Sequence, residues 1–316
     1  MSRDQFLDHI VIDEGQDLSP LQYHTLTKHQ RAHSLTIVGD VAQGIFAYRG
    51  LEAWQALEEI YGEGVTYLDV TQNYRSTEEI VAFTNRVMHT IWGGMRTPAK
   101  PFARKGKAVP VSGFGTRDAM LEAVQSRLQE VRSSGVENIA LILKDERAGR
   151  KLSQRLKDLG FDNTYLAADD RTYQGGLAVL TPAVAKGLEF PIVLVLDVDE
   201  LSYHPGNPVD GALLYVALTR ALHHLEVMFV GAPSLFLAEV FTVAAPKLEE
   251  SHSDVLHEPR TTTQPAPFRS FESRGGTNPN FDTQDGSKGF GQMFRDNGRF
   301  GSFPLHDSYD DESDAS

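Results

Sequence analysis

The sequence predicts an α/β protein built on parallel sheets, and two observations carry that expectation. Short β-branched runs alternate along the chain with segments of helical periodicity. That order sets strands side by side in parallel and lays helices over both faces. The 316 residues, 41% hydrophobic and 23% charged, have a globular composition and suffice for two domains with separate cores.

In chain order, strands are expected at residues 9–13, 35–39 and 65–70, alternating with helices at 20–28, 53–61 and 77–89. Ser76 followed by Glu79 reads as a capping box opening the last of these helices. Residues 93–110, rich in Gly, Pro, Lys and Arg, read as a linker. A second set follows: a helix at 117–133, a strand at 139–143, and a helix at 147–159 ended by Gly160. Strands at 178–181 and 192–197, a helix at 212–221 and a strand at 225–230 complete it. From Ser251 to Ser316 the composition shifts to Ser, Thr, Gly, Pro, Asn and Asp. That stretch cannot bury enough apolar surface to offset its ordering entropy, so a disordered acidic tail is expected. No internal repeat is present.

The absence of cysteine excludes disulfides and cysteine-based zinc sites and fits a reducing compartment. Met1-Ser2-Arg3-Asp4-Gln5 has no apolar signal core, and the longest apolar stretch, near 235–246, is too short for a bilayer and contains Glu239. A cytoplasmic protein without membrane contact is expected. The net charge of −13 argues against a broad basic footprint, while leaving room for a local basic groove.

The strand at 9–13 ends in Asp13 and Glu14, adjacent carboxylates of the kind that hold Mg²⁺ and activate water beside a nucleotide. Alone the pair is equally a solvated strand end. Further signals follow in one order. Gly39-Asp40 turns into Gln43, suited to sensing a phosphate, and then into Tyr48-Arg49-Gly50, whose ring can stack on a base. Gln72-Asn73-Tyr74-Arg75-Ser76 sets an aromatic ring beside a guanidinium, a pairing suited to adenine and phosphate. Thr181 leads to Lys186-Gly187-Leu188-Glu189-Phe190, and Val216-Ala217-Leu218-Thr219-Arg220-Ala221 sets one arginine on a helix, as an arginine finger would be. Taken singly, Tyr48 and Tyr74 also read as half-buried core aromatics, and Arg75 or Arg220 as structural partners of a carboxylate.

In this order the segments resemble the C-terminal half of a UvrD/Rep-type superfamily 1 helicase. Asp13–Asp17 resembles motif II, 39–50 motif III, 72–76 motif IV, 181–190 motif V and 216–221 motif VI. The resemblance implies P-loop NTPase (RecA-like) parallel sheets. Residues 1–95 would be the later part of a first domain (1A) lacking its Walker A portion. Residues 96–250 would be a 2A-like domain and 251–316 the tail. It implies an ATP hydrolase with Asp13 holding Mg²⁺, Glu14 as general base and Gln43 coupling the γ-phosphate to the nucleic-acid groove. Arg75 and Arg220 would contact that phosphate, Tyr74 would stack on adenine, and Glu189 would reach the ribose with Gly187 beside it. Tyr48, Arg49, Thr181 and Lys186 would face DNA, either a single strand or a duplex junction, with 3′-to-5′ movement.

The short interval between Ser76 and Thr181 leaves no room for the 2B insertion of UvrD. With Leu18-Ser19-Pro20 and Gly44-Ile45-Phe46-Ala47-Tyr48, it is closer to the HelD branch, which implies RNA polymerase as a partner. Ala183 stands where UvrD carries a His facing DNA, which points away from duplex unwinding. No Gly-x-x-x-x-Gly-Lys-[Ser/Thr] occurs in the 316 residues, so a separate N-terminal P-loop half or a truncated frame is expected. The competing expectation is a catalytically silent module that binds DNA or RNA polymerase. His24, His29 and His33 lack the further ligands of a metal site, and His223-His224 are expected to cap the helix before them.

Overall fold

A computed structural model describes residues 6–242 apart from 31–33, 46–49, 52, 134 and 171–172. The expected tail and the candidates Tyr48 and Arg49 therefore lie outside the described residues. The described ones fall within one compact unit, Met1–Glu250.

The chain opens with β1 (Ile10–Ile12), α1 (Pro20–Thr27) and β2 (Leu35–Ile37), followed by a short helix α2 (Glu58–Tyr61). β1 and β2 pair in parallel, Ile10 against Leu35 and Ile12 against Ile37. Helix α1 starts at a complete capping box, where Ser19 accepts from the Gln22 amide and the Gln22 side chain accepts from Ser19. Ile12, Tyr23, Leu51 and Leu57 form a small core on one face of this pair. On the other face Val11 and Val38 remain more than half exposed.

Next come β3 (Gln72–Asn73), α3 (Glu78–Trp92) and β4 (Lys100–Pro101). Here the structure departs from expectation. Residues 65–70 form no strand: the run has apolar residues but no neighbouring chain to pair with, and Leu68 and Val70 point into solvent. The N-cap of α3 is Thr77 rather than Ser76, and no side chain caps it. Ser76 Oγ instead donates to the Ala221 carbonyl, and Glu79 accepts from the Gly106 amide. The stretch read as a linker is partly ordered by pairing, since β4 lies parallel to β3.

The second set is a six-stranded, all-parallel sheet. Its elements in order are β5 (Val111–Phe114), α4 (Arg117–Ser133), β6 (Ile139–Ile142), α5 (Glu146–Asp158), β7 (Thr164–Tyr165), β8 (Leu177–Leu180), α6 (Pro182–Ala185), β9 (Phe190–Val195), α7 (Pro208–Leu218), β10 (Ala221–Val230) and α8 (Ala238–Thr242). The strand order across the sheet is β5-β10-β9-β6-β8-β7.

Alternation of side chains along each strand explains why these runs read as continuously apolar. Ala140, Ile142, Ala178, Leu180, Val193 and Val195 face one core with α3, α6 and α7. Ile139, Leu141, Val179, Ile192 and Leu194 face the other, against Met120, Val124 and Leu128 of α4 and Leu156 of α5. Ile80, Phe83 and Val87 place α3 in the first of these cores, so its packing is with the larger sheet and not with β1 and β2.

Helix α7 begins earlier than expected because Asn207 caps it and Pro208 occupies its first turn. It ends at Leu218, so Arg220 lies just beyond it, and His223 and His224 belong to β10 rather than to a helix end. Gly211 lets α7 approach α3, since a Cβ there would sit 2.5 Å from Ile91 Cγ2. Among the described residues no helix is long and apolar enough to cross a membrane.

In β10, Glu226 is buried and accepts from Arg127 Nε at 2.8 Å, with His224 Nε2 at 3.6 Å. Burial pushes its carboxyl up, but the neighbouring His224 and Arg127 outweigh burial and hold it below the usual 4.5. The ionised carboxylate therefore stabilises the fold above pH 4.5, and that stabilisation is lost as pH falls through the lower folded value. Urea unfolding of wild type and Glu226→Gln should show the variant less stable at pH 7. The difference should shrink as the pH falls below 4.5; a gap constant down to pH 3 would contradict the assignment.

Candidate functional site

β1 ends where the chain must turn sharply. The Val38 amide donates to the Ile12 carbonyl and the Gly15 amide to Val38, which carries the β1–β2 pairing past both strand ends. Between these anchors Glu14 adopts a left-handed backbone, φ 53° and ψ 38°, rare for a residue with a side chain. A one-turn helix, Gly15–Asp17, follows. A Cβ at Gly15 would sit 2.7 Å from the Tyr23 hydroxyl oxygen, and that hydroxyl donates to the Gly15 carbonyl at 2.6 Å.

Gln16 is fully buried and ties the two strand ends together. Its amide nitrogen donates to Glu14 Oε2 at 2.6 Å, and its oxygen accepts from the Asp40 amide at 3.0 Å. Asp40 caps the turn Val41–Gln43 by accepting from the Ala42 amide, and its second oxygen accepts from Gln43 Nε2 at 3.0 Å. Gln43 is thereby held by its nitrogen with its oxygen free to accept.

That oxygen receives Arg220 Nη2 at 2.8 Å. Arg220 is itself buried, and its remaining donors go to the Val216 and Leu188 carbonyls and to Thr219 Oγ1. Burial first, and then the nearby Arg75 charge, lower its affinity for the proton, while Glu14 and Asp40 act the other way. Lys186 completes the network. Its ammonium donates to both Asp17 oxygens at 2.7 Å and to the Gln43 carbonyl at 2.9 Å, and lies 3.5 Å from Glu14 Oε2. Apolar contacts support the junction: Ala42 packs with Met88 and Tyr215, and Ile45 with Ala212 and Val216.

The structure thus brings Glu14, Gln43, Lys186 and Arg220 together and adds Asp17, Gln16 and Asp40, to which the sequence reading gave no role. Arg75 forms an ion pair with Glu189. Asp13 is exposed and accepts from the Glu14 amide through one oxygen. Tyr74 is 63% exposed, against a core role, and packs on Phe102. Gly187 takes φ 79° with open space around its Cα, and Thr181 caps α6 without a side-chain bond. Neither Thr181 nor Tyr74 joins the network. No group of three or more His, Cys, Asp or Glu suited to a metal ion occurs among the described residues.

Residues 2–59 match the UvrD/REP helicase N-terminal domain, and residues 176–228 match the UvrD-like helicase C-terminal domain. A protein of Mycoplasma pneumoniae named "Probable DNA helicase" is 28% identical over 245 residues, covering 72% of this chain and 44% of that protein. ATP-dependent DNA helicase PcrA of Staphylococcus epidermidis is 33% identical over 150 residues, covering 46% of this chain and 18% of its own length. A solved structure, the C-terminal domain of a possible DNA helicase from Lactobacillus plantarum, overlaps 53% of this chain and 94% of its own at 27% identity, with a TM-score of 0.44. The chain spans less than half the length of these two curated relatives. The fold is α/β, its parallel sheet consistent with a RecA-like helicase domain. The two matched segments and the PcrA likeness are similarities to UvrD-type superfamily 1 helicases.

Gln16→Leu keeps the side-chain volume but leaves the Asp40 amide without its acceptor. Loss of that buried bond should cost about 1–3 kcal/mol in urea unfolding at neutral pH. An unchanged midpoint would show that Gln16 is not the tie between the strand ends.

Proposed function

We propose that the chain forms part of an ATP-dependent superfamily 1 DNA helicase or translocase, coupling ATP hydrolysis to movement on nucleic acid. The observation that carries this reading is the 2.8 Å bond from Arg220 to Gln43. Through Asp40 and Gln16, that bond continues to the Glu14 carboxylate. A change at the carboxylate end can therefore be felt at the arginine end through hydrogen bonds alone.

In this reading Glu14 is the general base that takes a proton from the attacking water, its carboxylate oriented by Gln16 and by the nearby Lys186 ammonium. Arg220 and Arg75 offset charge on the transferring phosphoryl group. Arg75 has an exposed side chain whose acidic partner is Glu189, so exchange of that carboxylate for a phosphate leaves no buried charge unpaired. Tyr74 offers an exposed ring face to adenine, and Glu189 and Gly187 lie on the ribose side. Tyr48, Arg49 and Thr181 serve the DNA strand, whereas Lys186, expected there too, spends its ammonium on Asp17 and Gln43.

Asp13 fits Mg²⁺ of the kind held by one carboxylate together with substrate phosphates and water, since it is exposed and commits one oxygen to the Glu14 amide. When bound, that ion would neutralise phosphate charge.

A finer reading places the chain in the HelD branch, with RNA polymerase as a partner. Its support is the interval from Ser76 to Thr181, filled by α3, α4, α5 and strands β4 to β8 without an inserted domain. The second reading is a silent binding module for DNA or RNA polymerase.

Steady-state ATP hydrolysis separates these readings, measured on the full chain alone and mixed with a fragment that supplies a Gly-x-x-x-x-Gly-Lys-[Ser/Thr] loop. Turnover in either arm that Glu14→Gln lowers by about 10²–10⁴-fold is the expected result. No turnover in both arms would leave the silent module.

A further inference from the structure

The segment from Lys100 to Gly106, read from sequence as a linker, lies along the turn that carries Tyr74 and Arg75. The Lys100 amide donates to the Thr71 carbonyl at 2.8 Å, and the Phe102 amide to Asn73 at 2.9 Å. The Glu78 amide donates back to the Arg104 carbonyl at 2.8 Å, and the Gly106 amide to Glu79 Oε2 at 2.6 Å. Inside the turn, Asn73 Oδ1 accepts from the amides of Arg75 and Ser76.

Two side chains of this strap reach the candidate residues themselves. The Phe102 ring lies 5.0 Å from the Tyr74 ring, tilted by 43°. Both rings are more than half exposed, so the pair is not held together by core burial. Arg104 Nη1 donates to the Arg75 carbonyl at 3.0 Å, and its other terminal nitrogen lies 3.4 Å from His223 Nε2. One residue of the strap thus backs the ring of Tyr74 and another fixes the backbone of Arg75.

We propose that Phe102 and Arg104 are positioning residues for a nucleoside triphosphate. Phe102 sets the plane of the Tyr74 ring against the base, and Arg104 sets the backbone from which Arg75 reaches the terminal phosphate. This rests on the proposed ATP-hydrolysing reading of the same site. An exposed tyrosine in the turn after a two-residue strand has a ring free to turn about its side-chain bonds. A second ring against one face removes part of that freedom and leaves the opposite face for stacking. A guanidinium is directional, so a shift of its backbone moves the whole donor fork.

The test uses the hydrolysing preparation, with ATP and with inorganic tripolyphosphate, which has no base. Phe102→Ala should raise KM for ATP about three- to tenfold, the size of an aromatic pair contact. It should leave kcat, and both constants for tripolyphosphate, unchanged. Arg104→Ala should lower kcat with both substrates, and Arg104→Lys, which keeps one donor for the Arg75 carbonyl, should restore most of it. Should Phe102→Ala fail to fold by thermal melting, Phe102→Leu preserves most of the volume and is expected to give the same KM shift. An unchanged KM for ATP in a folded Phe102 variant, or an equal rise for tripolyphosphate, overturns the proposal and leaves the ATPase reading standing. Absence of hydrolysis in the wild-type preparation overturns both.

Discussion

The Arg220 guanidinium is a buried positive charge whose hydrogen-bond acceptors are neutral oxygens, and that arrangement ties separate parts of the chain to one point. A buried charge is tolerated only when its donors are met. Here they are met by the end of α7, by the loop after Lys186 and by the side chain of Gln43. The acceptors come from three different parts of the chain, so all three parts must stay in register for the charge to remain satisfied. Asp40, Gln16 and Glu14 inherit their positions from that requirement.

The large sheet supplies the rigidity behind this junction. Both of its faces are buried, with α3, α6 and α7 on one side and α4 and α5 on the other. Helix α7 also turns Ala212, Tyr215 and Val216 toward Ala42 and Ile45, so one helix serves two apolar surfaces. Lys186 and Arg220 then add charged and polar contacts across the same seam. Packing brings the two parts together, and hydrogen bonds choose the register.

The parallel sheet was legible because burial on both faces makes strands such as 192–195 apolar at every position, and because helices fall between them. The weaker elements were not. β5 and β7 lie at the sheet edges, and β7 has only two residues, too few to show a period. Residues 65–70 carry the composition of a strand, but composition does not provide a partner. His223 and His224 lie on a strand and not at a helix end because the helix before them stops at Leu218, a stop for which Thr219 and Arg220 give no local signal. In the site, residue types were readable and partners were not. Asp17 stood in plain view beside Asp13 and Glu14, yet its counter-charge Lys186 lies 169 residues away. The Arg75–Glu189 and Arg220–Gln43 contacts likewise close over separations that no spacing rule spans.

The left-handed backbone of Glu14 has a consequence for how this position tolerates change. Its carboxylate is aimed by φ and ψ together with the Gln16 and Lys186 side chains, so backbone preference and chemical role act on the same residue. Asparagine and glycine enter that conformation readily, whereas valine, isoleucine or threonine resist it. Replacement there is therefore asymmetric. The substitutions that relax the chain most are those that discard the acid, and glutamate persists only while the anchors at Gly15 and Val38 hold it in a conformation it would not adopt alone.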